Sequence, residues 1–146
     1  MKPAAIDGEF PAPTYRGVQQ EAIANISAAY SSGAKVVIVR APTGTGKSLL
    51  ARAIAGAADS DVGAYYTTPQ VSQLDDVSAN PLLDDIAIIR GKRNYGCILP
   101  GHRGEAVNQA RCARDSDFDC PEKQRCPYFV DRAAAAEAPI AGMTLA

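Results

Sequence analysis

Apolar runs and helical periodicities alternate over residues 1–90 of the chain. Residues 36–39, Val-Val-Ile-Val, form an unbroken β-branched run, which is typical of a parallel strand covered on both faces. Two more short apolar runs, at residues 62–68 and 86–89, are predicted strands. Apolar residues recur at helical spacing over residues 15–32 and 47–57, which predicts two helices. This alternation predicts an α/β fold built on a parallel sheet, with a further helix after Pro69.

The pattern changes at Gly91. From there to Pro127 no apolar period is sustained, and the segment contains all four cysteines of the chain. Such a stretch lacks the apolar area to offset an ordering cost of roughly 1–2 kcal/mol per residue. A metal centre held by thiolates would fix this segment, because the free energy of metal binding then becomes folding free energy.

A glycine-rich loop, Ala-Pro-Thr-Gly-Thr-Gly-Lys-Ser at residues 41–48, joins the first predicted strand to the following helix. Gly44 and Gly46 let the backbone curl so that its N–H groups form an anion-binding nest. Lys47 is placed to contact the β- and γ-phosphates of a nucleotide, and Ser48 to ligate the bridging Mg²⁺. A tight turn with a solvated lysine is the alternative, which the flanking strand and helix disfavour. The candidate ATP-binding residues here are Thr43, Gly44, Thr45, Gly46, Lys47 and Ser48.

Two polar pairs have candidate roles beside this loop. Arg16 and Gln19 lie one turn apart near the start of the first predicted helix, where a buried amide could bond an adenine edge. Spacing alone favours an ordinary solvated face. Thr67 and Thr68 end a predicted parallel strand, at the sheet edge where α/β folds bind ligands. Here the ligand-binding and purely structural interpretations are evenly balanced.

Charge is distributed unevenly along the chain. The formal net charge is −1, but residues 90–132 contain nine Lys or Arg against six Asp or Glu. That basic segment is the better candidate for contacting nucleic acid. No apolar run approaches a membrane span, and the first residues lack a hydrophobic signal region, so we expect a cytoplasmic protein. In that reducing compartment clustered cysteines bind metal more often than they form disulfides.

The four cysteines, Cys97, Cys112, Cys120 and Cys126, are separated by fourteen, seven and five residues. Structural zinc sites usually contain pairs two to four residues apart, which this chain lacks. Looser tetrathiolate sets are common for iron–sulfur clusters. Spacing alone leaves Zn²⁺ and an iron–sulfur cluster open, with unligated thiols as a third possibility. His102 could replace one thiol, although a lone histidine in such a loop is more often solvated.

Taken in order, these motifs resemble the N-terminal part of the XPD/DinG family of superfamily-two iron–sulfur DNA helicases. Ala41 stands where the general loop pattern has glycine, as in the Walker A motif of superfamily-two helicases. Arg16 and Gln19 match the Q-motif position, and residues 66–69, Tyr-Thr-Thr-Pro, match motif Ia. Residues 91–97, Gly-Lys-Arg-Asn-Tyr-Gly-Cys, open an insertion that resembles the family's cluster domain.

The resemblance implies a 5′-to-3′ ATP-dependent DNA helicase with a partial RecA-like motor domain. It implies that the four cysteines ligate a [4Fe–4S] cluster and that Arg16 and Gln19 lie near the base of ATP. Thr67 and Thr68 would then lie on the single-stranded DNA track. Candidate phosphate contacts in the insertion include Arg93, Arg103, Arg111 and Arg114.

The same comparison gives the expected domain organisation. Residues 1–13 are an extended lead-in, 14–90 the first half of the ATP-binding domain, 91–130 the insertion, and 131–146 a returning helix and strand. Because an Asp-Glu-x-His sequence and a second motor domain are missing, we expect a helicase fragment that does not turn over ATP alone and needs its C-terminal portion as partner. The alternatives are a non-motor DNA- or partner-binding module and a P-loop protein with a zinc-stabilised insertion.

Overall fold

A computed structural model describes residues 6–58 and 63–145. Its sheet consists of three parallel strands, β1 (Ala64–Thr68), β2 (Ala87–Ile89) and β3 (Ile140–Thr144). The strand order is β1-β3-β2, so the last strand in sequence occupies the middle. Ala64 pairs with Ile140, and Ala87 pairs with Ala141. The predicted strands at 62–68 and 86–89 are both found, with slightly shorter bounds. Val62, the first residue of the first prediction, lies outside the described residues.

Five helices surround or follow the sheet in the described part of the chain. Their bounds are α1 Gln19–Ser31, α2 Lys47–Gly56, α3 Val71–Ser78, α4 Arg111–Arg114 and α5 Pro127–Glu137. α5 packs on β2 and β3, and α2 packs on β1. The α/β fold class is confirmed, and the arrangement is that of a partial RecA-like domain. None of the described helices is long and apolar enough to cross a membrane.

The strand predicted at residues 36–39 is wrong for the described structure. These residues belong to no strand, and the side chains of Val36 and Ile38 are 76% and 90% exposed. Only Val37 packs against a core, the one between α1 and α2. A strand is defined by its ladder of backbone hydrogen bonds, and none of the described strands pairs with this segment. The run of four apolar residues therefore predicted a buried strand, but no described strand pairs with it.

In the described part of the lead-in, residues 6–13, the chain packs against α1 and α2 instead of running extended. Ile6 is fully buried between α1 and α2, and Asp7–Glu9 forms a helical turn. The Arg52 guanidinium on α2 donates to a Glu9 carboxylate oxygen at 3.0 Å and also to Asp85 ahead of β2. Ile6 belongs to a core that comprises Ile6, Ile23, Ile26, Leu50, Ala53 and Ala57. The lead-in thus forms part of the packing that supports the start of α2.

A second core lies under the sheet. It comprises Val77, Leu83, Ile86 and Ile140. The middle strand leaves no room here, since a Cβ added at Gly142 would lie 2.5 Å from the Ile88 side chain. Packing against β2 and α3 therefore requires glycine at this position.

Residues between β2 and α5 form a third, small core with little regular structure. Tyr95, Cys97, Val107, Ala110 and Cys126 are its buried members. A single antiparallel bridge joins Gly96 to Ala106, and short helical turns cover Lys92–Asn94 and Lys123–Arg125. Two of its five buried residues are cysteines, so the packing depends on thiols as much as on hydrocarbon.

Candidate nucleotide site and cysteine centre

The glycine-rich loop is open for an anion. Gly44 and Gly46 have φ angles of 82° and 78°, in the left-handed region that glycine adopts without strain. Gly46 is also the N-cap of α2, which begins at Lys47. Among the hydrogen bonds of the described residues, none uses the backbone N–H groups of residues 44–48. Those donors and the positive end of the helix dipole converge where a phosphate would bind.

Lys47 is folded back over the same loop. Its Nζ donates to the carbonyl oxygens of Ala41 at 3.0 Å and Pro42 at 2.8 Å. The hydroxyl of Thr45 also donates to the Pro42 carbonyl, at 2.8 Å. The Lys47 side chain is exposed and can exchange these neutral acceptors for phosphate oxygens, while half-buried Ser48 follows it in the first turn of α2.

Gln19 connects α1 to the loop. Its Nε2 donates to the Thr45 carbonyl at 3.0 Å, and its Oε1 accepts from the Arg16 backbone N–H at 2.8 Å. Gln19 is 4% exposed, so the interpretation as a solvated polar face is wrong. Arg16 precedes α1 instead of sharing its first turn, because the helix begins only at Gln19. A Cβ added at Gly46 would lie 2.3 Å from Gln19 Nε2, so this contact also requires glycine at 46.

A pocket of about 570 Å³, here called the loop pocket, opens between this contact and the lead-in. Its floor includes Arg16, Gln19 and the backbone of Gly44, and its rim includes Leu82. The lead-in residues Ala12, Pro13 and Thr14 form one wall. A flat, mainly apolar group attached to a phosphate in the nest would fit here.

The carboxyl end of β1 reaches the other side of the loop. A groove of about 740 Å³ is lined by Lys47, Ser48, Thr67, Thr68 and Asp76, among others. Thr67 is exposed there, whereas Thr68 is 5% exposed and donates its hydroxyl to the Gln70 carbonyl at 3.0 Å. The Thr68 hydroxyl is therefore engaged within the protein, and Thr67 is the member of the pair that is exposed in the groove.

Asn80 is a lining residue that the sequence analysis missed. It borders both the loop pocket and the groove, and its Oδ1 accepts from the Leu82 backbone N–H at 3.0 Å. An asparagine before proline at the start of a helical turn is a recognisable capping signal, but nothing in sequence places that turn beside the loop.

The four cysteines gather in the insertion as free thiols. Cys97, Cys120 and Cys126 are buried and Cys112 is half-buried. Burial raises the pKa of the Cys112 thiol, and negative charge on each of the other three cysteines raises it further. Cys112 is thus within electrostatic range of each of the other three cysteines. In the described ranges no group of three or more His, Cys, Asp or Glu side chains is arranged to hold a single metal ion.

The basic residues predicted to contact nucleic acid do not form one patch. Arg111 and Arg114 line a pocket that also contains Glu105. Arg103 lies beside Cys97 and Glu122 in a second pocket. Arg93 belongs to a third pocket, at the ends of the strands. The separation of these arginines into three pockets cannot be predicted from their spacing in the sequence, because it depends on how the insertion folds.

Tyr95 joins the insertion to the sheet. Its hydroxyl accepts from the Arg90 backbone N–H at 3.0 Å and donates to Asp131 Oδ2 on α5 at 2.8 Å. Its ring packs edge-to-face on Tyr128, with centroids 5.5 Å apart. Burial raises the pKa of Tyr95, and the hydrogen bond to Asp131 raises it further against the opposing effect of the Arg90 N–H. Arg90 in turn pairs with Asp75 on α3.

Comparison with known proteins supports this description of the loop region. Residues 13–64 match the family model described as type III restriction enzyme, res subunit. The corresponding comparisons with curated proteins and with solved structures found no match. The matched segment contains Gln19, the glycine-rich loop and α2, which form the candidate nucleotide site. Over this segment, about a third of the chain, the match indicates a superfamily-two helicase-type domain.

Proposed function

We propose that this chain is the ATP-binding portion of a 5′-to-3′ DNA helicase that carries a [4Fe–4S] cluster and binds single-stranded DNA. The observation that carries the proposal is the loop with its five uncommitted N–H groups, held in place by the hydrogen bond from Gln19 to Thr45. This arrangement is ready for a nucleotide's phosphates before any ligand binds. Preorganisation of this kind lowers the free-energy cost of binding.

The loop residues have distinct roles in this proposal. The N–H groups of Gly44, Thr45 and Gly46, with that of Lys47, bind the β-phosphate. The Lys47 ammonium moves from the loop carbonyls to the β- and γ-phosphates. The Ser48 hydroxyl ligates Mg²⁺. Thr43 lines the groove beside the γ-phosphate position.

Gln19 and Arg16 hold the base of the nucleotide in the loop pocket. Each amide atom of Gln19 already makes one protein hydrogen bond, and each retains capacity for a second, because the NH₂ has two protons and the oxygen two lone pairs. The Arg16 side chain is exposed at the pocket, where it can stack on a planar base.

The number and type of donors in the insertion support an iron–sulfur cluster. Cys97, Cys112 and Cys126 belong to one small core, and Cys120 is buried outside it. A tetrahedral Zn²⁺ site with Zn–S bonds of about 2.3 Å would bring four sulfurs close to one point. A [4Fe–4S] cluster spans a wider cage. We assign Cys97, Cys112, Cys120 and Cys126 as its ligands; when bound, the cluster supplies thiolate–iron bonds that stabilise the insertion.

Single-stranded DNA is proposed to run over Thr67 and the basic residues of the insertion. The 146 residues contain no Asp-Glu-x-His sequence to activate water. We therefore expect the chain alone to bind ATP–Mg²⁺ without appreciable turnover.

Binding of a fluorescent ATP analogue tests the nucleotide assignment directly. We expect saturable, Mg²⁺-dependent binding by the wild-type chain and at least tenfold weaker binding by Lys47→Ala, because the charge-assisted bonds to phosphate are lost. Lys35→Ala, an exposed lysine outside the loop, is the matched control. Equal affinity in Lys47→Ala and the control would contradict the assignment.

Metal analysis after anaerobic purification tests the cluster assignment. About four iron and four sulfide per chain are expected. Zinc at one per chain would instead support the zinc-stabilised alternative, and would leave the nucleotide assignment untouched.

A further inference from the structure

A pocket of about 570 Å³ lies where all three strands end, on the side of the sheet next to the insertion. We call it the strand-end pocket. Its walls come from the β1–α3 turn, the end of β3, and the insertion, which contributes five residues, four of them just after β2. Its lining residues are Pro69, Gln70, Val71, Gly91, Lys92, Arg93, Asn94, Asn108, Thr144 and Leu145.

The lining of the strand-end pocket is cationic. It contains Lys92 and Arg93 and no carboxylate, whereas the other two pockets with arginines in the insertion contain Glu105 and Glu122. Arg93 makes no ion pair with any described residue. The Lys92 ammonium lies 5.6 Å from the ring centroid of Tyr128, a contact that leaves its three protons available. An anion would meet uncompensated positive charge here.

Neutral donors complete the pocket. Gln70, Asn94 and Asn108 contribute side-chain amides, which can bond sugar hydroxyls, phosphate oxygens or base edges. The positive end of α3 begins at Val71 in the same pocket. Two cations with several amides suit one phosphodiester with its attached sugar and base better than a small, highly charged triphosphate.

We propose that the strand-end pocket binds a phosphodiester unit of single-stranded nucleic acid, with Lys92 and Arg93 as its phosphate contacts. The proposal rests on the nucleic-acid binding proposed above and changes its details. It moves the principal contact at this sheet edge away from Thr68, whose hydroxyl is engaged by Gln70. It also adds Lys92, Asn94 and Asn108 to the binding residues.

The position of the pocket relates it to the nucleotide site. Pro69 borders both the strand-end pocket and the groove that contains Lys47 and Ser48. The β1–α3 turn therefore separates a nucleic-acid strand bound at the pocket from the groove, and the two pockets share no charged residue. Variants of Lys92 and Arg93 should consequently change nucleic-acid affinity and leave nucleotide affinity unchanged.

The test compares two double variants with equal loss of charge. Lys92→Ala/Arg93→Ala removes the pocket's cations, and Lys35→Ala/Arg132→Ala removes two exposed cations outside it. Fluorescence anisotropy with a labelled oligothymidylate is measured over a series of salt concentrations. We expect the pocket variant to bind roughly tenfold more weakly than wild type, with the salt slope reduced by about 0.7, the contribution of one neutralised phosphate on a single strand. The control variant should stay within about twofold of wild type.

The possible results distinguish the proposed role of the strand-end pocket from the proposed function of the whole chain. If the wild-type chain binds the oligonucleotide and both double variants bind equally well, the pocket assignment is wrong and the proposed function stands. Equal weakening of both double variants also overturns it, because total charge then explains the loss. A pocket variant that loses ATP analogue but keeps oligonucleotide would show a nucleotide site instead. No binding by the wild-type chain would overturn the nucleic-acid proposal itself and the pocket with it.

Discussion

The nucleotide region and the insertion are stabilised in different ways. Residues 6–58 pack six buried apolar side chains between α1, α2 and the lead-in, and Arg52 closes the arrangement with ion pairs. The insertion has six buried residues, three of them cysteines, and short helical turns in place of long helices. The first region is stabilised by the burial of hydrocarbon. The second buries less hydrocarbon, so the proposed cluster would contribute to its folding.

Loss of one cysteine should produce the largest difference between the two regions. We expect Cys126→Ser to lose nearly all of its iron and to leave the insertion open to proteolysis, because the cluster's thiolate bonds supply its folding free energy. Affinity for the ATP analogue should change by less than about threefold, since Gln19 and the loop pack on the other core. Iron analysis, limited proteolysis and nucleotide titration measure these quantities. If the nucleotide region were digested at the same rate as the insertion, the two regions would not be stabilised separately.

A cavity in the apolar core between α1 and α2 should destabilise the nucleotide region and leave the metal content of the insertion unchanged. Ile23 is 2% exposed between α1 and α2, and Ile23→Ala is expected to lower the free energy of unfolding by about 2–5 kcal/mol. Urea denaturation followed by nucleotide binding reports this loss, while the iron content per folded chain should stay near wild type. Val18→Ala, at an exposed apolar position in the same region, is the control and should cost less than about 0.5 kcal/mol.

The two loop glycines offer a sharper test within the nucleotide region. Both Gly44→Ala and Gly46→Ala place a side chain at positive φ, at a cost of about 1–2 kcal/mol. Only at Gly46 does the new Cβ collide with Gln19 Nε2; at Gly44 no atom lies within 4 Å. We therefore expect Gly46→Ala to weaken binding of the ATP analogue at least fivefold more than Gly44→Ala. Equal effects would mean that the Gln19 contact does not position the loop.

The smallest expected effect concerns the junction between the regions. Tyr95→Phe removes the hydroxyl that joins Arg90 to Asp131 and should cost about 0.5–1.5 kcal/mol, because part-buried hydrogen bonds are lost. Tyr65→Phe, at a side chain that is 76% exposed, is the control. Thermal denaturation of the two variants measures the difference. A Tyr95→Phe protein as stable as the control would show that the aromatic packing alone holds the junction.

Local patterns predicted the loop and its helix well, and non-local features poorly. The glycines, lysine and serine at 44–48 determine their own conformation, so sequence was sufficient there. The strand predicted at 36–39 failed because a strand requires partners that no local pattern reveals. Gln19 was interpreted as solvated for the same reason, since its acceptor on Thr45 is distant in sequence. The shared metal site inferred from the cysteine spacing stays a prediction, since no group of three or more His, Cys, Asp or Glu side chains in the described ranges is arranged to hold a metal ion. The separation of Arg93 from Arg111 depends on how the insertion folds.

The central position of β3 has a consequence for the order of folding. β1 and β2 do not pair with each other, so neither gains a ladder until Ile140–Thr144 arrives between them. Residues 90–139, which include the whole insertion, must first be brought into a closed loop. A compact, metal-bound insertion shortens the flexible part of that loop and lowers the entropic cost of closing it. Assembly of the proposed cluster would then accelerate formation of the sheet.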